Sequence, residues 1–302
     1  MHDSFDSIPH NNSDVIRHYS QSFSLAAHLL PKNVRADVKK LYAWCRWCDN
    51  AVDAAPSREL ADQRLLRLRV DVDLIYNNHD PIHGASVWLA ELVRRYSIPK
   101  EYPLDLLAGM KMDLCHRPIQ SQEDLLLYCH RAAGSVGVMM CFLLGTDNVQ
   151  ALSDADSLGM AMQMTNIARD VKEDHASGRC YLPDCWLDAV RLKEALPTNE
   201  NVRAAVKRLL AMADQHYARG IEGLRYLPAR SKLAIRIAAD LYREIGETIR
   251  RNDYRVMDGR AFVPMSRKLL LVANGLFRSR NQTAFIVSPI TTVHPFPFTP
   301  LS

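Results

Sequence analysis

Glycine is scarce in this chain, 12 of 302 residues or about 4%, where globular proteins average roughly 7%. Turn-dense all-β architectures use more, so the shortage favours helices. No apolar run is long enough to span a bilayer. The longest weakly polar stretch, Ala132 to Gly145, is about 14 residues against the roughly 20 needed, and reads as a buried helix. There is no Gly-rich nucleotide loop, no fixed-period repeat and no Ser/Gly-rich linker. The 38 Lys and Arg against 34 Asp and Glu are not gathered into a basic block with interleaved aromatics, so no nucleic acid partner is expected. The net charge of +4 suits an anionic substrate or anionic headgroups without demanding either. Seven cysteines, an odd number, accompany a polar start (Met1 to Ser13, with Asp3 and Asp6) that fits no signal or transit peptide. A cytoplasmic chain with reduced thiols is the expectation. What is present, 48% hydrophobic and 24% charged residues, is enough to bury a large core and excludes disorder, collagen and a disulfide miniprotein.

From about Asp14 to Phe277 the periodicity is repeatedly helical, with no stretch alternating cleanly enough to be a strand. Val202, Val206, Leu209, Leu210, Ala213 and Tyr217, at offsets 0, 4, 7, 8, 11 and 15, form one helix face. Ser121 to Asp124 and Ser153 to Asp156 have the Ser-x-x-Asp form of a capping box and predict two helix starts. Breaks near Pro31, Pro56, Asn77 to Gly84, Pro99 to Pro103, Arg117 to Gln122, Gly145 to Asn148, Gly178 to Pro183, Pro197 to Asn201 and Leu227 to Arg230 leave roughly ten helices. The expected organisation is a flexible segment over 1–13, a single all-α domain over 14–278 and an irregular tail over 279–302, where Pro289, Pro295, Pro297 and Pro300 fall.

Two helical segments carry the chemistry. In Leu41 to Asp53, the residues Tyr42, Arg46, Asp49 and Asp53 lie at offsets 0, 4, 7 and 11 on one face, among Leu41, Ala43, Trp44, Cys45, Trp47, Cys48, Ala51 and Val52. In Leu158 to Asp174, the residues Gln163, Asn166, Asp170 and Asp174 lie at offsets 0, 3, 7 and 11 among Leu158, Met160, Ala161, Met162, Met164, Ile167, Ala168 and Val171. Desolvating carboxylates in such surroundings costs several kcal/mol per ion unless a cation or donor compensates. A lone Asp pair is ordinarily solvated or paired with a neighbour. Two pairs, each beside an arginine (Arg46, Arg169), would repel one another across a bundle and point instead to bound Mg²⁺, which prefers oxygen ligands. Mg²⁺ bridges carboxylates to phosphates, and Met-rich walls suit a hydrocarbon, so a prenyl diphosphate satisfies both halves.

These residues resemble the phytoene/squalene synthase family, the head-to-head prenyl transferases, from about Tyr19 to Phe277. The resemblance rests on Ser20 to Phe23, Tyr42 to Arg46 followed by Asp49 to Asp53, Tyr128 with Ala133 to Gly137, Gln163 to Asp174 and Gly178 to Pro183. Leu227 to Arg230 and Leu241 to Ile245 extend it, and Arg267 to Asn274 is worded most like the bacterial phytoene-forming members. It implies an all-α isoprenoid-synthase helical bundle with a central hydrophobic cavity and both Asp motifs at the mouth. Asp49, Asp53, Asn166, Asp170 and Asp174 would then hold Mg²⁺, with Mn²⁺ as the substitute. Arg46, Arg169 and Arg260 would hold diphosphate oxygens, with Tyr42, Tyr128 and Tyr242 as hydroxyl donors. Ser20 and Ser22 match the early Ser-x-Ser-Phe motif, and Gln163, Ala133, Gly134 and Gly137 would line the prenyl cavity, the missing side chains leaving room for a chain. Asn50 stands where many relatives have Asp, which argues against head-to-tail synthases but not against activity here.

The implied reaction joins two geranylgeranyl diphosphates through a cyclopropyl diphosphate into a 1-1′ linked hydrocarbon, with two diphosphates released and no NADPH. C15 substrates, giving dehydrosqualene or presqualene diphosphate, are the alternative, because chain length depends on cavity depth. A non-catalytic assembly factor of the same fold is a third reading, disfavoured by retention of both Asp pairs. Lipid substrate and product add an expectation of peripheral contact with the cytoplasmic membrane; the oligomeric state stays open. Cys45-x-x-Cys48 has no second pair and reads as structural thiols. His116, His130 and His175 read as surface or hydrogen-bonded residues, and Lys172 and Arg179 as either solvated charges or outer contributors to the diphosphate field.

Overall fold

Side chains of Ser57, Ser121 and Asn148 start three of the helices. Ser57 Oγ accepts from Leu60 N at 3.2 Å. Ser121 and Asp124 form the reciprocal capping box expected from the sequence. Asn148 Oδ1 accepts from Gln150 N and Ala151 N. Each satisfies backbone donors that a helix start leaves unpaired, worth about 1 kcal/mol per cap. The structure, a computed structural model, describes residues 25–115, 118–187 and 199–284. The helices are α1 (Lys32–Asp53), α2 (Arg58–Tyr76), α3 (Ser86–Tyr96), α4 (Glu101–Leu114), α5 (Gln122–Cys129), α6 (Ser135–Leu144), α7 (Val149–Ala176), α8 (Asn199–Glu222), α9 (Ala229–Arg251) and α10 (Met265–Ala284). No strand occurs among the described residues. The fold is all-α.

Several sequence expectations shift. Ser153 and Asp156 lie inside α7, because Asn148, just past the left-handed Gly145, caps the chain earlier. Ser153 Oγ instead accepts from Arg219 Nη2 at 2.6 Å, and Asp156 binds His130 Nδ1 at 2.7 Å. Pro103 sits in the first turn of α4, where its missing N–H is not needed. α10 runs to Ala284, beyond the expected tail boundary, since no breaker occurs before Pro289. A break over 252–264 escaped the sequence reading. Its turn places Asp253 and Tyr254 at positive φ without a glycine. The segments 1–13 and 285–302, and Ser20, Ser22 and His116, lie outside the described residues.

A single wide turn, His130–Gly134, is π-helical and joins α5 to α6 without interruption. The resulting apolar helix, Gln122–Leu144, has 23 residues, longer than the run read from sequence. It is long and apolar enough by composition to cross a membrane, yet half of its most apolar window is buried in the bundle. One core gathers Leu41, Trp44, Cys48 and Ala51 of α1 against α2, α3, α4 and α6. A second gathers α5, α7, α8 and α9 around Met164, Leu209 and Tyr217. α7 touches α5, the π turn, α6, α8 and α9. Each fully buried large side chain here contributes about 1.5–3 kcal/mol.

Candidate active site

Between these cores runs a cavity of about 730 Å³, within the range of small-molecule sites. Its lining along α7 extends from Ala151 to Arg169, about 27 Å at the helical rise. The Ala151 end is apolar, lined by Cys141, Leu144, Ala155, Leu224 and Leu227. At the Arg169 end stand Tyr42, Arg46, Asp49, Gln163, Asn166, Tyr242, Arg260 and Lys268. A long molecule with one charged end fits such a gradient.

The polar rows of α1 and α7 therefore meet at one mouth. Arg46 Nη1 donates to Asp49 Oδ2 at 2.7 Å. Burial nevertheless pushes the Asp49 carboxyl up to about 6, with Asp53 and Asp113 adding repulsion against Arg46. Burial also opposes ionisation of Asp170, but Arg169 and then Arg260 outweigh it and hold that carboxyl below its ordinary value. Arg169 binds both Asp170 oxygens, and Arg260 Nε donates to Oδ1 at 2.8 Å. One turn on, Asp174 has no such clamp, and burial followed by Asp170 pushes it up to about 7. The Tyr42 phenol is raised by burial and by Tyr242.

Three residues that the sequence reading missed or left open tie the rows together. Asp113, on α4, accepts from Tyr181 Oη at 2.7 Å and from Tyr128 Oη at 3.4 Å, and burial pushes it up to about 6. Tyr128 stacks on Tyr181 with ring centroids 4.7 Å apart. Tyr128 is thus buried behind the mouth, positioning Asp113 rather than lining the cavity. Arg179 Nη2, past the end of α7, donates to Asp53 Oδ1 at 2.7 Å and also faces Asp113 and Asp174. That decides its role: it bridges the rows, whereas Lys172 is exposed. Asp113 has no periodic partner in sequence; its only signal was a lone acid between Met112 and Leu114.

The small residues of the π turn and α6 also need correction. Ala133 and Gly137 line the cavity, but Gly134 does not. A Cβ at Gly134 would lie 1.9 Å from Asp156 Oδ1, and one at Gly137 would lie 2.5 Å from the Ala155 carbonyl oxygen. Both glycines let the π turn and α6 approach α7, and for Gly134 that close approach, not room for a substrate chain, is the reason. Cys45 and Cys48 are buried free thiols, raised by burial, and His130 is held by Asp156 and Asp105, as structural roles require.

The donor set suits a hard divalent cation: carboxylates Asp49, Asp53, Asp170 and Asp174 with the Asn166 amide, and no thiolate among them. Among the described residues no three acids converge closely enough to grip an ion unaided. Arg46 pairs with Asp49, Arg179 with Asp53, and Arg169 and Arg260 with Asp170. A pH effect follows for the metal-free chain. Asp49, Asp113 and Asp174 bind protons more tightly folded (about 6, 6 and 7) than unfolded, where carboxyls titrate near ~4. The stability they lend is full below that value and lost as pH rises through 6 to 7. Thermal unfolding in chelator should therefore show a lower Tm at pH 8 than at pH 5.5, and Mg²⁺ with diphosphate should narrow the gap. An equal or higher Tm at pH 8 would contradict the strained-acid reading.

The sequence profile of the Squalene/phytoene synthase family matches residues 16–267. A 15-cis-phytoene synthase of a Paracoccus species is 37% identical over 272 residues, covering 87% of this chain and 89% of that one. A phytoene synthase of Cereibacter sphaeroides is 36% identical over 300 residues, covering 94% of this chain and 83% of that one. Among solved structures, a dehydrosqualene synthase in complex with a ligand aligns at a TM-score of 0.78 and 28% identity, over 89% of this chain and 95% of that one.

Proposed function

Because the chain belongs to the squalene/phytoene synthase family, we propose that it joins two geranylgeranyl diphosphates head to head, through a cyclopropyl diphosphate, to phytoene. The observation that carries this is one continuous cavity, apolar for most of its length, at whose mouth the acid rows and arginines meet.

In this reading Asp49, Asp53, Asn166, Asp170 and Asp174 hold Mg²⁺, which when bound supplies Lewis acidity to the departing diphosphate. Arg46, Arg169 and Arg260 exchange carboxylate partners for phosphate oxygens, which a guanidinium grips in the same forked way. Tyr42 and Tyr242 offer hydroxyls at the mouth. Asp113, fixed by Tyr128 and Tyr181, keeps Arg179 in the field between the rows. Leu158, Met162, Val136 and Met140 wall the carbocations from water. Ser20 and Ser22 contribute to substrate binding in the same reading. No hydride donor enters the balance, since the second carbocation ends by losing a proton.

Incubation with each prenyl diphosphate and Mg²⁺, followed by product chromatography, tests this. Phytoene from the C20 substrate without a nicotinamide, and none after chelation, is the expected result. The likeness to a dehydrosqualene synthase favours a second reading, in which C15 diphosphate is taken. A C15-derived product in excess would establish that reading, and no product from either would remove both.

A further inference from the structure

Half of the twelve large hydrophobic side chains that stand exposed among the described residues fall within one sixteen-residue stretch: Phe262, Met265, Leu269, Leu270, Leu276 and Phe277. On α10, Met265, Leu269 and Leu276 lie at offsets 0, 4 and 11, and Leu270 and Phe277 run beside them. The opposite face of α10 is already used. Leu271 and Val272 pack on Ile237, Ala238 and Leu241 of α9, and a Cβ at Gly275 would meet Ile237 at 2.6 Å. Exposed leucines and a phenylalanine, 38–66% accessible along one helix edge, form a patch of the kind that marks an interaction surface.

Charge says what the partner is. From Gly259 to the end of the chain there is no Asp or Glu, while Arg260, Arg267, Lys268, Arg278 and Arg280 are basic. The last 44 residues thus carry +5 on a chain whose total is +4, leaving the remainder at −1. Arg267 shares the buried Glu244 with Arg251, so those three groups together still leave one positive charge. The patch is also continuous with the cavity: Phe262, Arg260 and Lys268 line its mouth, and Lys268 Nζ lies 5.8 Å from the Phe262 ring centroid.

We infer that the outer face of α10, with Phe262, docks on an anionic phospholipid bilayer and holds the cavity mouth against the membrane surface. An apolar edge bordered by cations, with no anion to repel lipid phosphates, is the chemistry of an interfacial helix. Docking at the mouth would give a long hydrocarbon a route into lipid that never crosses water. That consequence rests on the reaction proposed above; the docking itself does not.

The test is flotation of the full-length chain with vesicles of neutral phosphatidylcholine, with and without an anionic phosphoglyceride. Wild type should co-float with the anionic vesicles, less so at high salt. Leu269→Glu and Phe277→Glu should each lower the bound-to-free ratio by about tenfold, and Arg278→Gln should weaken the dependence on anionic lipid. Circular dichroism melting controls for folding, and turnover of detergent-dispersed substrate should be unchanged in all three. Absence of co-flotation, or co-flotation that neither glutamate variant reduces, would overturn the docking. So would a dimer in light scattering that Leu269→Glu dissociates without vesicle binding, since a second copy would then own the face. Loss of turnover in detergent by the wild type would strike the proposed reaction and leave the docking standing.

Discussion

Asp170→Asn is expected to lower kcat by about a thousandfold or more while leaving the chain folded. Losing one electrostatic group aimed at developing charge commonly costs 10²–10³, and Asp170 serves more than one purpose in the proposed site. Arg169 and Arg260 both bind it and hold it ionised against the cost of burial. It also raises Asp174 next to it. The amide substitution removes a metal-binding charge and loosens both arginines at once. The pairs are only partly buried, so the structural cost should stay within ~2 kcal/mol. Product formation under saturating substrate, with a thermal melt alongside, measures both. Asp62→Asn is the control: that exposed acid pairs with Lys111 on the outside of the bundle and should leave turnover unchanged. Full activity in Asp170→Asn would remove the site assignment.

Gly159→Ala should destabilise the fold strongly, against the direction of helix propensity. In an isolated helix alanine is better than glycine by about 1 kcal/mol. Here the added Cβ would stand 2.3 Å from the carbonyl oxygen of Ala133, 2.8 Å from its carbon and 2.9 Å from the Gly134 Cα. All three are backbone atoms of a packed helix, so relief requires the π turn to move off α7. Overpacking costs about 1–3 kcal/mol and occasionally more; backbone that cannot yield puts this site at the upper end, so after the propensity gain a net loss of roughly 2 kcal/mol is expected. Gly246, within α9, supplies the contrast. Its nearest neighbours are Leu210 Cδ2 at 3.4 Å and Arg250 Nη1 at 3.9 Å, both at the ends of flexible side chains. Gly246→Ala should be neutral or stabilising by about 0.5–1 kcal/mol. Chemical denaturation of the two variants decides the matter: an unaltered midpoint for Gly159→Ala would show that the backbones of the π turn and α7 are not locked together there.

Much of the site was legible because helices write it periodically. Tyr42, Arg46, Asp49 and Asp53, like Gln163, Asn166, Asp170 and Asp174, keep to one face, and an acid on an apolar face needs a physical cause. What escaped lacks a period. Asp113 is a single acid whose partners, Tyr128 and Tyr181, are 15 and 68 residues away in sequence. Arg179 lies beyond the helix end, so only the folded chain shows it reaching Asp53 across 126 positions. Gly134 was misread because a substrate tunnel and a close helix crossing ask for the same absent Cβ; Gly137 answers to both, lining the cavity and facing the Ala155 carbonyl. The Ser153 to Asp156 box failed for a different reason: a capping pattern needs a chain that has not already turned helical, and Asn148 starts α7 earlier. The break over 252–264 was overlooked although Asp258-Gly259 and Pro264 mark its later part; its first turn carries no such mark, because Asp253 and Tyr254 take left-handed conformations without a glycine.

The π-helical turn at His130–Gly134 fixes how this helix can change by insertion or deletion. A wide turn holds one amino acid more than a regular one, so its loss would tighten the spiral and swing everything before it by about 100°. Tyr128 would then point away from Asp113, leaving that carboxylate to Tyr181 alone and breaking the ring stack behind it. Shortening this helix by a single codon is therefore a mutation of the diphosphate mouth, made from the far side of the wall.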